Sequence, residues 1–148
     1  MIVQRTSVFP AGQDAVFQKL KQLGTLQTIA APYASFEPLG DGVCTWEVGS
    51  TSTYRFRLFG CIPFGTHTIH IVRFDPDGIR SHEGNEHVPV WNHDIKLRPL
   101  DECRTEYTDL VEIHAGWKTP FVWLWAEAFY AHRQRKWVGL LRQGERQR

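Results

Sequence analysis

The 148-residue sequence predicts an α+β fold in which a curved antiparallel sheet of about seven strands wraps around one long C-terminal helix, with two short helices after the first strand. From about residue 33 to residue 116, short runs of β-branched and aromatic residues alternate with turn residues. Residues 119–143 instead carry apolar residues at helical spacing. The apolar face of such a sheet needs a cover, and only the C-terminal helix is long enough to provide it.

The first part of the chain is predicted to form one strand and two short helices. Residues 2–9 include several apolar and β-branched side chains and are followed by Pro10, as is typical of a strand. Residues 13–23 place apolar side chains on one helical face, and a second helical piece covers 26–31 before Pro32.

The remaining strands are separated by glycine, proline and aspartate. They are predicted at 35–39, continuing at 43–48 after the Gly40-Asp41-Gly42 turn, and then at 53–59, 66–74, 79–83, 90–97 and 105–113. Gly60, Pro63 and Gly65 separate the strands predicted at 53–59 and 66–74.

The C-terminal helix has clear start and stop signals. Thr119 can cap it, Pro120 suits its first position, and it is predicted to end near Gln143, with basic residues in its last turns. Its apolar stripe consists of Val122, Trp125, Ala126, Phe129, Tyr130, Trp137, Leu140 and Leu141.

The last hairpin places a polar pair on its apolar face. Alternation turns Trp91, His93, Ile95 and Leu97 inward on one strand and Tyr107, Asp109, Val111 and Ile113 inward on the other. A turn centred on Asp101 would set Leu97 opposite Thr105, Ile95 opposite Tyr107 and His93 opposite Asp109. Opposed side chains on one face can hydrogen-bond, so we expect His93 and Asp109 to interact.

Further polar groups are expected on the same inner face. Ser81 and Glu83 share it, and His132 could approach from the helix. For residues 66–74 we favour an inward set of His70, Val72 and Phe74 over His67, Ile69 and Ile71, although a slip of one residue would reverse this choice.

Composition excludes some functions. The net charge of +1 provides no field to attract nucleic acid or an anionic membrane. The three cysteines are scattered and read as free thiols, and neither a signal peptide nor a membrane span is evident, so we expect a cytoplasmic protein. Six tryptophans and nine phenylalanines are numerous enough to fill a core or to line a cavity for an apolar ligand.

These features resemble the START-related SRPBCC superfamily, which includes polyketide cyclase-like proteins, pollen-allergen-type ligand carriers and lipid-transfer domains. The resemblance spans nearly the whole chain as one domain, residues 1–148, and is most specific at residues 59–65 (FGCIPFG), 83–93, 107–116 and 129–135 (FYAHRQR). It implies the helix-grip fold, with a cavity between the sheet and the C-terminal helix, but it implies no reaction.

The first functional hypothesis is the binding of a small hydrophobic or aromatic molecule that is lipid-, polyketide- or isoprenoid-like. The candidate ligand-binding residues are Tyr54, Phe56, His70, Glu83, Trp91, His93, Tyr107, Asp109, Trp125, Phe129 and His132. The alternative for the aromatic rings is that they simply fill a core.

The second hypothesis is a cyclase, dehydratase or hydrolase. An aspartate that fixes the tautomer of a histidine raises its basicity, so His93 with Asp109 could act as a general base. The alternative is a polar pair that only ties two strands together, and no nucleophile motif is present.

Other roles receive less support. Two histidines and two carboxylates could bind zinc or iron, but no ligand motif is present, and we predict neither a metal nor another cofactor. His67, His82, His87 and His114 are expected at the surface, as is the basic run Arg133, Arg135, Lys136 and Arg142. Trp117, Trp123 and Trp137 are candidates for positions off the buried stripe, which leaves a homodimer open.

Overall fold

The computed structural model describes residues 1–39 and 46–146, except for the side chains of residues 145 and 146. Its strands are β1 (Ile2–Phe9), β2 (Ala34–Pro38), β3 (Thr51–Leu58), β4 (Ile62–Asp75), β5 (Gly78–Gly84), β6 (Val90–Asp101) and β7 (Arg104–His114). The helices are α1 (Gln13–Leu20), α2 (Leu23–Ala30) and α3 (Thr119–Arg146), the last preceded by a short 3-10 helix at Gly116–Lys118.

These elements confirm the predicted helix-grip architecture. The seven strands form one antiparallel sheet in the order β1-β7-β6-β5-β4-β3-β2, and both short helices follow β1. The predicted continuation of a strand over 43–48 is not seen at residues 46–48, while residues 43–45 lie outside the described part of the chain.

Two of the register shifts in the sheet involve β4. The pairing of β3 with β4 shifts between Arg55 and Arg57, and that of β4 with β5 shifts between Ile71 and Arg73. Each irregularity of this kind bends a strand and strengthens its local twist, which helps the sheet close over α3.

The irregularity in β4 makes the predicted facing of this strand wrong. Ile69 and Ile71 are buried on the inner face together with His67, whereas His70 is exposed and its Nδ1 lies 2.8 Å from Thr51 Oγ1. Phe74 still packs against the core, because the register shift beyond Ile71 changes which residues of the strand face inward.

The register of the last hairpin also differs from the prediction. His93 pairs with Val111, Ile95 with Asp109 and Leu97 with Tyr107, because the strands reach Asp101 and Arg104 through an irregularity after Pro99. The shift is two residues, and a shift by an even number leaves every side chain on its predicted face.

Helix α3 covers the inner face of the sheet. Ala126, Phe129, Tyr130, Trp137 and Leu141 are buried, so Trp137 belongs to the core and does not lie off the stripe. The Thr119 side chain contacts the preceding 3-10 turn, where it accepts from the Ala115 N–H and donates to the Gly116 carbonyl. None of the described helices combines the length and apolar character needed to cross a bilayer.

Candidate functional site

A cavity of about 550 Å³ lies between the inner face of the sheet and helix α3. Its walls are mainly apolar and come from every layer of the fold. They include Leu20 of α1, Ile29 of α2, Phe36 of β2, Phe56 of β3, Ile69 of β4, Ile79 of β5, Trp91 and Ile95 of β6, and Val122, Trp125 and Phe129 of α3. A volume of this size is in the range that accommodates a small organic molecule, ~300–1,000 Å³.

Exposed aromatic residues belong to the same lining. Trp117 is 80% exposed and Phe121 is 68% exposed, and both contribute to the cavity wall near the start of α3. Leu58 and Phe64, on the facing β3–β4 hairpin, line it as well. The cavity therefore extends from the core to an apolar surface at this end of the fold.

A polar network crosses the otherwise apolar wall, and Glu83 is one of its two anionic centres. His67 Nε2 lies 2.8 Å from Glu83 Oε1, and the Ser81 hydroxyl donates to Glu83 Oε2. His93 Nδ1 lies 3.8 Å from the same Oε2 atom. Three neighbouring strands thus direct polar groups at one carboxylate.

Asp109 is the second anionic centre. His93 Nε2 lies 2.7 Å from Asp109 Oδ1, and the amide of Gln134 donates to Oδ2 at 3.1 Å. The Tyr107 hydroxyl donates to Oδ1 over a longer 3.4 Å. The predicted His93–Asp109 interaction is present, although it joins diagonal neighbours because the two residues do not pair directly in the ladder.

Helix α3 adds a buried cation and a phenol to the network. Arg133 is 5% exposed, and its guanidinium carbon lies 5.2 Å from the centre of the Tyr130 ring. The Tyr130 hydroxyl accepts a hydrogen bond of 3.0 Å from Trp91 Nε1, and the ring lies against His93 with 5.2 Å between ring centres.

Both carboxylates are held in the ionised form. Burial alone would raise the pKa of Glu83, but the hydrogen bonds from His67 and Ser81 and the electrostatic attraction of His67 and His93 outweigh it, and the pKa is lowered. For Asp109, burial is again outweighed, here by the hydrogen bond from His93 and the charge of Arg133, so its pKa is lowered as well.

The groups on α3 stay protonated. Burial raises the pKa of the Tyr130 phenol, and the negative charges of Glu83 and Asp109 raise it further. Burial disfavours the charged form of Arg133, yet the negative charge of Asp109, with a smaller contribution from Glu83, more than compensates, so the pKa of Arg133 is raised. At neutral pH the network therefore holds two carboxylates, one guanidinium and a phenol that can donate.

The predicted site residues fall into three groups. Phe56, Glu83, Trp91, His93, Trp125 and Phe129 line the cavity. Tyr54, Tyr107 and Asp109 are buried but are not part of the lining. His70 and His132 point elsewhere, since His70 is exposed and His132 Nε2 lies 2.6 Å from the Ala31 carbonyl oxygen.

Several cavity residues were missed by sequence reasoning. His67 and Arg133 were expected at the surface, but both are buried and line the cavity, and Gln134 is buried beneath Asp109. Arg133 follows Phe129 by four positions and Tyr130 by three, which is the spacing of one helical face. This spacing indicates that Arg133 lies on the buried face of α3, whereas its charge led to the prediction of a surface position.

The described residues contain no group of three or more histidine, cysteine, aspartate or glutamate side chains placed to hold a metal ion. The histidines and carboxylates of the network instead form pairs along a chain of hydrogen bonds. Cys61 and Cys103 are free and exposed.

Solved structures with similar folds cover almost the whole chain. A START superfamily protein from Mycobacterium smegmatis matches with a TM-score of 0.72 and 14% identity over 96% of this chain and 97% of that one. The Zhui aromatase/cyclase from a Streptomyces species matches with a TM-score of 0.68 and 17% identity over 97% and 94%. Protein CV1439 from Chromobacterium violaceum matches with a TM-score of 0.74 and 14% identity over 95% and 96%.

These likenesses show that the chain has the helix-grip fold that these solved proteins share. No curated protein matches the sequence significantly. One family model, described as a domain of unknown function, matches residues 43–140, about two thirds of the chain. The protein therefore belongs to the family described as Domain of unknown function (DUF8410).

Proposed function

We propose that the protein binds one small, mainly apolar molecule in the cavity between its sheet and helix α3. The observation that carries this proposal is the cavity itself, about 550 Å³ in volume and walled largely by aromatic and aliphatic side chains. A lipid-, polyketide- or isoprenoid-like compound has the matching character, because burial of apolar surface would supply most of the binding free energy.

The polar network gives such a ligand an orientation. Glu83, His93, Tyr130 and Arg133 line the cavity together, whereas the rest of the wall offers mainly apolar contacts. A molecule with one polar region would place it against these groups and its hydrocarbon part against Phe56, Trp125 and related rings.

A fluorescence titration with the neutral apolar dye N-phenyl-1-naphthylamine tests the proposal. We expect a saturable increase in emission with one dye bound per chain. Val122→Trp should abolish binding, because Val122 lines the cavity and a larger ring would occupy its space.

The matched control is Leu124→Trp on the same turn of α3. Leu124 is 60% exposed and does not line the cavity, so this variant should bind the dye normally. Binding that survives Val122→Trp, or no saturable binding to the wild type, would contradict the proposal.

A second candidate is a cyclase, dehydratase or hydrolase, favoured by the 2.7 Å contact between His93 and Asp109 beside the cavity. The geometry gives it less support than it gives binding. His93 faces Asp109 with one ring nitrogen and Glu83 with the other. A general base needs a ring nitrogen within hydrogen-bond reach of the substrate, whereas both nitrogens of His93 face protein carboxylates.

Esterase assays with 4-nitrophenyl butyrate separate the two candidates. General-base catalysis contributes ~100-fold or more to a rate, so His93→Gln would reduce turnover by that factor if His93 were the base. We expect wild type and His93→Gln to give the same slow rate, with circular dichroism confirming that the variant is folded. A loss of about 100-fold in the folded variant would favour the enzyme.

A further inference from the structure

Unpartnered hydrogen-bond donors are concentrated around the cavity. Over the described part of the chain, seven buried side-chain nitrogen or oxygen atoms lack a hydrogen-bond partner, and five of them belong to residues that line the cavity. These five are Trp46 Nε1, His67 Nδ1, Trp125 Nε1, Arg133 Nε and Trp137 Nε1.

The chemistry of these atoms is strongly one-sided. An indole nitrogen and a guanidinium nitrogen can only donate, so four of the five cavity atoms offer a hydrogen and accept nothing. Arg133 and Trp137 are 5% and 0% exposed, so surface water does not solvate these side chains. Buried donors without partners are rare in folded proteins, and a molecule in the cavity with an acceptor atom would supply the missing partner.

Tyr130 adds a further donor. Its oxygen already accepts from Trp91 Nε1 at 3.0 Å, and no acceptor for its own hydroxyl hydrogen is found among the described residues. The raised pKa of the phenol keeps that hydrogen in place at neutral pH. Because Tyr130 and Arg133 are neighbours on one face of α3, their donors lie on the same side of the cavity.

The charges beside these donors disfavour an anion. Glu83 lines the cavity and Asp109 lies directly behind His93, both are ionised, and the charge of the nearby Arg133 already acts on Asp109. A ligand carboxylate would bring a third negative charge into this buried region. His67, His93 and Arg133 already face these two carboxylates, so the charge of the ligand would lack a cation of its own, and buried charge without compensation is strongly unfavourable.

We propose that the cavity selects neutral molecules that carry a carbonyl or ether oxygen on an apolar frame, with Tyr130 and Arg133 donating to that oxygen, and that it discriminates against carboxylates of the same shape. This inference rests on the proposed binding function and specifies its ligand class. It distinguishes an oxygenated ketone-like ligand from a free fatty acid or aromatic acid, which would fit the same apolar walls.

Three naphthalene probes of similar size test the inference: 2-acetylnaphthalene, 2-ethylnaphthalene and 2-naphthoate. Isothermal titration at neutral pH should show the ketone binding about tenfold more tightly than the hydrocarbon, because the hydrogen bonds outweigh the ketone's better solvation in water. The carboxylate should bind more weakly than the ketone by at least tenfold. Infrared spectra should show the carbonyl stretch of the bound ketone shifted to lower frequency than in hexane.

Tyr130→Phe removes the hydroxyl and keeps the ring. It should reduce the preference for the ketone over the hydrocarbon to about threefold or less and move the carbonyl stretch back toward its hexane value, while the affinity for 2-ethylnaphthalene stays unchanged. Arg133→Met should do the same if it folds. Tyr33→Phe is the matched control, since Tyr33 does not line the cavity, and it should leave the preference intact.

The outcomes separate this inference from the binding proposal. Equal binding of ketone and hydrocarbon, or tight binding of the carboxylate, would overturn the selectivity and leave the apolar binding site standing. An unshifted carbonyl stretch would also overturn it. Failure of all three probes to bind would remove the binding proposal and this inference together.

Discussion

At the scale of single residues, the core contains ionisable side chains, and each buried carboxylate lies beside a hydrogen-bond donor or a positive charge. Asp109 is fully buried and contacts His93 and Gln134, and the charge of Arg133 acts on it as well. Such pairing offsets the cost of removing charges from water, so the partners depend on one another. The network is therefore sensitive to the loss of any one charge.

Asp109→Asn should destabilise the fold by about 3 kcal/mol, because it leaves the buried Arg133 without its anionic partner. Urea unfolding followed by tryptophan fluorescence measures this change. Asp75→Asn is the control, since Asp75 forms an exposed ion pair with Arg73 and should change stability by less than about 1 kcal/mol. Equal effects of the two substitutions would contradict the conclusion that Asp109 stabilises the fold by compensating the buried charge of Arg133.

Because the pKa values of Glu83 and Asp109 are lowered in the folded protein, the free energy of unfolding depends on pH in the acid range. Their contribution is fully present above the ordinary carboxyl values, about 3.9 for aspartate and 4.3 for glutamate, and is lost as pH falls through the lower values of the folded state. We expect the free energy of unfolding to decrease below about pH 4, and to decrease less steeply in Glu83→Gln. Parallel pH curves for both proteins would show that Glu83 is not involved.

At the scale of elements, two glycines have opposite requirements. Gly78 begins β5 with φ of 150°, and an added Cβ would lie 1.9 Å from the Ile95 carbonyl oxygen on β6. Gly139 lies inside α3, where an added Cβ meets nothing within 4 Å. The first glycine permits two strands to approach, whereas the second only weakens a helix.

Gly78→Ala should therefore destabilise the protein by about 3 kcal/mol through steric overlap and backbone strain. Gly139→Ala should stabilise it by about 0.5–1 kcal/mol, because alanine is the better helix former. Thermal or urea unfolding of both variants tests the pair. A neutral effect at Gly78 would mean that β5 and β6 can separate without cost.

At the scale of the whole molecule, the cavity is enclosed by the curved sheet on one side and by the helices on the other. Strands β2 to β6 and all three helices contribute wall residues, so no single element contains the site. Filling this space should therefore stabilise the complete fold.

A homodimer and the cytoplasmic location stay predictions.

A bound ligand should raise the global stability of the wild type. With N-phenyl-1-naphthylamine at a hundredfold excess over its dissociation constant, we expect about 2.7 kcal/mol of added unfolding free energy. Calorimetry with and without dye measures the gain, and Leu124→Trp should show the same gain. Val122→Trp should show none, and a gain in that variant would indicate that the dye binds outside the cavity.

Much of the site was predictable from the sequence where alternation was clear. On β5 and β6, Ser81, Glu83, Trp91 and His93 face inward as predicted, since their strands alternate without interruption up to these residues. On β4 the same rule failed, because nothing in the local pattern marks the shift after Ile71. On α3, Arg133 has the spacing of the buried face, but its burial depends on the carboxylates of β5 and β7.

The fold class, the order of the elements and the inner face of the last hairpin could all be predicted from the amino-acid sequence. These features follow from periodicity and turn residues, which act over a few neighbouring positions. The register of β6 with β7, the inward position of His67 and the burial of Arg133 became evident only in the folded chain. Each of these depends on contacts between residues far apart in the chain, where the free energy of pairing charges and closing the sheet outweighs local preference.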